Sequence, residues 1–320
     1  MPKTIMKPNI QPESKSWQIS NEINLTGFEW QNDKPLALLS HANGFCAATW
    51  SPVVQHLLPH YHVIAFDFRG HGGSSTPAAP DGYRWQNLVD DMLLLTRTIL
   101  TAKGEQQVAL AAGSSLGGVI TAAAASEQPA LFRRIVMLDP PVLPNTETVK
   151  RLGLETPAAM TNPGSRIGDQ ARRRRAIWPS RAAAVEKWRN KPMFTSWDED
   201  AFDQYIKYGF RDRLDGSVEL SCPPEVEAAI FDQTGDLNIF DRANAISCPI
   251  TVVHAAGGHF PKALYKELAR LCPQGDFASI DGGWSFTANG SAKVNGRSVD
   301  YRIDITTSGR KRYLPEPTGI

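Results

Sequence analysis

A doubly wound, mostly parallel α/β sheet is the architecture this sequence predicts, and three observations predict it. Short apolar runs without helical length alternate with longer amphipathic stretches, the pattern of βαβ units. One such transition carries Gly113-Ser114-Ser115-Leu116-Gly117, a Gly-x-Ser-x-Gly run at a strand-to-helix boundary. The alternation stops at Val142 and resumes near residue 245, so a second unit is inserted into the first.

The elements follow in order. Residues 17–31 alternate loosely, as an edge hairpin does, and Leu36 to His41 reads as the first fully buried strand. A helix is predicted from about Ala47 to Leu58, then a strand from Tyr61 to Asp67 that ends in the tight loop Arg69-Gly-His-Gly-Gly-Ser-Ser. Leu88, Met92, Leu95 and Ile99 are spaced three and four apart, which marks an amphipathic helix over about Trp85 to Thr101. Gln107 to Ala112 is the strand before the elbow, and the alanine-rich stretch Leu116 to Ser126 is the helix after it. Arg134 to Asp139 is a further strand, closed by Pro140-Pro141. Residues 142–244 read as a charged, aromatic, helical insertion with ten aromatics between Ala171 and Phe240, enough to line an apolar pocket as well as a small core. The strand Cys248 to His254, the helix Lys262 to Leu271 and the strand Asp276 to Asp281 complete the pattern.

Composition excludes several functions. The net charge is +1, so nothing in the balance implies nucleic acid or an acidic membrane surface. The start has no apolar signal-like core and no stretch reaches the length of a membrane span, so the expectation is a cytoplasmic protein. Cys46, Cys222, Cys248 and Cys272 are scattered without a C-x-x-C pair and read as buried small hydrophobes. No phosphate loop, dinucleotide fingerprint or metal spacing is present, and neither cofactor nor metal is expected. In Arg172-Arg-Arg-Arg175 four successive side chains point around a whole helical turn. Most must be solvated, with one or two able to face a cleft and meet a substrate carboxylate.

The elbow has a steric rationale. Its central residue sits in a strained backbone conformation, and a Cβ two positions to either side would collide with neighbouring backbone. Gly113 and Gly117 remove those collisions, which lifts the Ser115 hydroxyl clear of the sheet and leaves the Leu116 amide beside it.

These residues resemble the α/β-hydrolase family from roughly Leu36 to Gly283. His41-Ala-Asn-Gly-Phe45 resembles the family's oxyanion loop, Phe66 to Ser75 resembles the loop after its fourth strand, and Ser115 stands at its nucleophile. The resemblance implies a core of residues 1–141 and 245–283, a helical cap at 142–244 and a tail at 284–320 that departs from the family. It implies a serine hydrolase acting on a small ester, amide or related acyl substrate, with backbone amides at Asn43 and Leu116 as oxyanion donors. Each such donor is typically worth about 3 kcal/mol of barrier. His41 and His71 read as residues that shape these loops, and His56, His60 and His62, which flank a surface helix and a strand start, read as solvated.

The pattern breaks at the base. The family's histidine follows the last strand, where this chain has Gly283-Trp284-Ser285, and no histidine occurs after His259. Gly257-Gly-His259-Phe-Pro resembles the family's histidine loop displaced to an earlier strand end, which makes His259 the candidate base. No carboxylate follows the strand that ends at His254, and Asp139, which ends the strand after the elbow, is the candidate acid. In the tail, Val299, Tyr301, Ile303 and Ile305 alternate as a hairpin does, and an altered reading frame or gene fusion is one hypothesis for its origin. The alternative functional reading is a catalytically impaired member that keeps the pocket and binds a small ligand.

Overall fold

Alternation of apolar side chains sets the two faces of the main sheet. In a computed structural model, which describes residues 11–154, 163–258, 260–280, 291–294 and 297–300, Leu36 and Leu38 pack on one face and Ala37 and Leu39 on the other. Such a strand is buried on both sides, as a parallel strand between helical layers must be.

The chain opens with the antiparallel pair β1 (Glu13–Gln18) and β2 (Asn24–Trp30). The strands β3 (Leu36–Ser40), β4 (His62–Phe66), β5 (Leu110–Ser114) and β6 (Ile135–Leu138) follow, separated by α1 (Ser51–Leu57), α2 (Trp85–Lys103) and α3 (Leu116–Glu127). Beyond β6 come α4 (Thr146–Leu152), α5 (Pro163–Arg172), β7 (Ile177–Trp178), α6 (Arg181–Trp188), α7 (Glu199–Tyr208), β8 (Phe210–Asp212), β9 (Val218–Leu220), α8 (Pro224–Asp232) and α9 (Ile239–Arg242). The main sheet resumes with β10 (Ile250–Ala255), α10 (Lys262–Leu271) and β11 (Gly275–Ile280). Its order is β1-β2-β4-β3-β5-β6-β10-β11, parallel from β4 to β11 and antiparallel across β1, β2 and β4. In the tail, β12 (Ser291–Val294) and β13 (Arg297–Asp300) pair antiparallel. The alternating tail residues Tyr301, Ile303 and Ile305 lie outside the described residues.

The amphipathic spacing in α2 is realised: Leu88, Met92, Leu95 and Ile99 are all buried. Helix α3 is buried almost all round because it lies between the sheet and α2, so small alanines fill it. All four cysteines are free and buried.

Two expectations change and a third is sharpened. The segment between β6 and β10 is not wholly helical, since β7, β9 and β8 form a small antiparallel sheet of two- and three-residue strands, too short for periodicity to reveal. The ten aromatics are spent mainly on packing: Trp188 stacks on Phe194, Tyr205 and Phe210 at centroid distances of 5.6, 5.9 and 5.3 Å. His62, which reads as a solvated strand start, is buried in β4 with its Nε2 2.7 Å from Glu29.

Among the described residues, no helix is long and apolar enough to cross a membrane.

Candidate active site

Ser115 sits between β5 and α3 at φ 51° and ψ −117°, a conformation L-residues rarely adopt. Its own amide donates to the Leu138 carbonyl at 2.9 Å, and its carbonyl accepts from Gly118 at 3.0 Å. A Cβ on Gly113 would stand 2.2 Å from the Gly117 carbonyl, and one on Gly117 would stand 2.5 Å from the Ser40 oxygen. Both glycines are therefore sterically required. Ser115 is half-buried in a run of fully buried neighbours.

The loop after β3 is held by two neutral imidazoles. The Phe68 amide donates to His41 Nε2 at 3.1 Å, which leaves the His41 Nδ1 proton facing the Ala42 carbonyl at 2.8 Å. The Gly44 amide donates to His71 Nε2 at 3.0 Å, with His71 Nδ1 on the Arg69 carbonyl at 3.1 Å. Burial pushes His41 down to about 4 and His71 well below the usual imidazole range, so both remain uncharged scaffolding. With Gly44 bound to His71 and Phe45 bound to the Ala42 carbonyl, the Asn43 amide is left without a partner among the described residues. The Leu116 amide, first in its helix, is likewise unpaired among them.

Asp67 secures the same loops, accepting from the Ala47 amide at 2.6 Å and from Thr26 Oγ1 at 3.3 Å. Burial raises its carboxyl from 3.8 to about 6. The native state thus holds this proton more tightly than the unfolded chain, and ionising Asp67 removes stability as pH rises from about 4 to about 6. Asp67→Asn is expected to gain on wild type by on the order of 3 kcal/mol across that window. Urea unfolding at both ends of the window measures it, and a pH-independent difference would mean the carboxyl is solvated.

Asp139 follows β6 at φ 44°. Its Oδ1 accepts from the Tyr265 hydroxyl at 2.7 Å and from the Ala255 amide at 3.3 Å. Burial, reinforced by the Asp139 charge, pushes the Tyr265 phenol up, so it keeps the proton it donates. Tyr265 carries no sequence signal, because in α10 it reads as one more core position. Ser115, Asp139, Asn43 and Leu116 line one cavity of about 90 Å³, several times the roughly 10–15 Å³ that one water needs. Ile167, Ile230, Phe231 and Thr234 from the β6–β10 segment line it too. Phe231 is the member of the ten aromatics found there. A wider hollow among Pro35, Gln107 and Arg133 lies at the opposite ends of the strands, away from these groups.

His259, Trp284 and Ser285 lie outside the described residues. Gly258 and Phe260, the neighbours of position 259, are described: a Cβ on Gly258 would stand 2.8 Å from Asp139 Oδ1, and Phe260 lines the cavity. His254 is a packed strand residue with Nδ1 3.2 Å from Ser279 Oγ.

The four arginines do not share a helical turn, because α5 ends at Arg172 and the other three lie in the irregular stretch before β7. Arg172, Arg173 and Arg175 are exposed, and Arg174 turns inward. Arg174 does not meet the cavity. It pairs with Glu227 and donates to the Tyr205 hydroxyl at 3.1 Å, while Tyr205 donates to the Gly44 carbonyl at 3.1 Å.

The order of the sheet, the strained serine between β5 and α3, and the two histidine-anchored loops agree with one family. Residues 38–283 match the model of the alpha/beta hydrolase fold family. The chain is an α/β-hydrolase. Among its relatives, this hydrolase is 30% identical over 177 residues to an (E)-2-((N-methylformamido)methylene)succinate hydrolase of Acinetobacter baylyi, covering 52% of this chain and 64% of that one. It is 35% identical over 133 residues to a 2-(acetamidomethylene)succinate hydrolase of Mesorhizobium japonicum, covering 42% of this chain and 44% of that protein. The match thus spans less than two thirds of either relative's length. A solved E-2-(acetamidomethylene)succinate hydrolase superposes with a TM-score of 0.67 at 22% identity, over 87% of this chain and 94% of that one, a likeness of fold.

Proposed function

We propose that this α/β-hydrolase is a serine hydrolase cleaving a small ester, amide or related acyl substrate, with Ser115 as nucleophile. One observation carries the reading: a half-buried serine, strained at φ 51°, opens on the same cavity as a hydrogen-bonded carboxylate, Asp139. The formamido and acetamido groups in the two relatives' names are amides, which supports an acyl substrate.

In this reading Ser115 Oγ attacks the substrate carbonyl carbon and gives its proton to a ring nitrogen of His259. The carbonyl oxygen becomes an oxyanion held by the Asn43 and Leu116 amides, which are already fixed in place and need no reorganisation. Collapse of the tetrahedral species breaks the bond to the leaving group, which takes the proton back from His259. Water, deprotonated by the same imidazole, then releases the acid and restores Ser115. Asp139 orients the imidazole and balances its charge, and Tyr265 fixes the carboxylate. Residues 142–244 act as the cap, their apolar side chains excluding water from the cavity. The neighbours of position 259 support this role, since one abuts Asp139 and the other lines the cavity.

Labelling by a fluorophosphonate probe tests the base. His259→Ala is expected to slow labelling of Ser115 roughly 10²–10⁴-fold, the usual worth of a general base. Unchanged labelling would place the base elsewhere. Folded protein that resists the probe altogether would favour a ligand-binding member with an idle elbow.

A further inference from the structure

We infer that the cavity beside Ser115 takes an uncharged, apolar acyl group and rejects acyl groups that carry a carboxylate. The inference rests on the proposed reading that this cavity is the acyl site. The wall is made by Leu116, Leu143, Ile167, Ile230, Phe231 and Phe260, with Trp85 and Pro141 completing it. Its polar members are Asn43, Ser115, Asp139, Thr234 and Tyr265. None of the described lining residues is a lysine or arginine. The inward-turned arginine of the adjoining segment, Arg174, is bound to Glu227 and Tyr205 and is not among the lining residues.

A carboxylate brought into this space would lose its hydration with no cation to replace it, and it would share the cavity with the Asp139 carboxylate. Both effects oppose binding. An alkyl chain meets neither cost and gains contact with the leucine, isoleucine and phenylalanine side chains. The cavity therefore differs in chemistry from what a succinate derivative, named for two of the relatives, requires.

The decisive experiment uses two ligands of equal length that differ at one end, butyranilide and succinanilate. Binding to the Ser115→Ala protein, followed by calorimetry or by ligand NMR, does not depend on any chemistry at Ser115. Butyranilide is expected to bind at least tenfold more tightly than succinanilate, and equal or tighter binding of succinanilate would overturn the inference. Ile167 stands at the rim, 39% exposed. Ile167→Arg is expected to raise succinanilate affinity at least tenfold while lowering that of butyranilide, and no gain for the anion would contradict the charge argument. Wild-type acylation by p-nitrophenyl butyrate and p-nitrophenyl hemisuccinate supplies the separate check on the reading beneath it. Acylation of Ser115 by the butyryl ester alone supports both, acylation by the hemisuccinate at an equal rate overturns the preference, and acylation by neither overturns the nucleophile while the anilide result still decides the cavity.

Discussion

Ser115→Ala is expected to lower ester or amide turnover by about a millionfold, the loss typical when the nucleophile of a serine hydrolase is removed. The fold should be untouched. The hydroxyl makes no hydrogen bond among the described residues, and alanine keeps the same Cβ in the same strained turn. Melting temperature is therefore expected to hold within a degree or two while kcat/KM collapses. The residual rate should exceed that in water, because the Asn43 and Leu116 amides would still bind a developing oxyanion. Turnover within tenfold of wild type would remove Ser115 from the mechanism.

Gly117→Ala is expected to cost both stability and activity, for a different reason. The added Cβ would meet the Ser40 oxygen at 2.5 Å and the His41 oxygen at 2.7 Å, both backbone atoms that have no side-chain freedom to give way. The end of β3 must shift, and it carries the loop that presents Asn43. Overpacking of this kind costs about 1–3 kcal/mol of stability. Displacing one oxyanion donor costs about 10²–10³ in kcat, so the two effects should appear together in one variant. Denaturant titration and ester hydrolysis measure them, and a variant with wild-type values in both would show that the elbow has more room than these distances allow.

Much of the elbow was legible because steric demands leave marks in sequence. Gly113 and Gly117 are required by backbone atoms 2.2 and 2.5 Å from where a Cβ would be, and such a requirement survives in the chain as a motif. The strand-to-helix context of Ser115 was equally readable, since an apolar run and an alanine-rich helix differ in length and periodicity. The loop histidines read as scaffolding, and burial keeps them neutral in that role, with His41 held down to about 4 and His71 well below the usual imidazole range.

What escaped the sequence is what depends on tertiary pairing. Tyr265 reads as core until its hydroxyl is seen 2.7 Å from Asp139. Arg174 reads as one of four equivalent arginines, and it is Glu227, fifty-three positions away, together with Tyr205 that turns it inward. His62 follows a surface helix and reads as exposed, but strand register places it against Glu29. The aromatic surplus between Ala171 and Phe240 suggests a pocket lining as well as a small core, and how it divides is set by tertiary packing: Trp188 stacks with its neighbours while Phe231 lines the cavity. The strands β7, β8 and β9 are too short to carry any periodicity.

Mass-spectrometric mapping of the fluorophosphonate adduct on intact, folded protein tests the nucleophile most directly. The elbow contains two adjacent serines, and Ser114 is buried at 7% exposure while Ser115 is half-buried and lines the cavity. A single adduct on Ser115, absent after Ser115→Ala and retained after Ser114→Ala, is the expected result. An adduct on Ser114 or elsewhere, or none on protein shown to be folded, would contradict it.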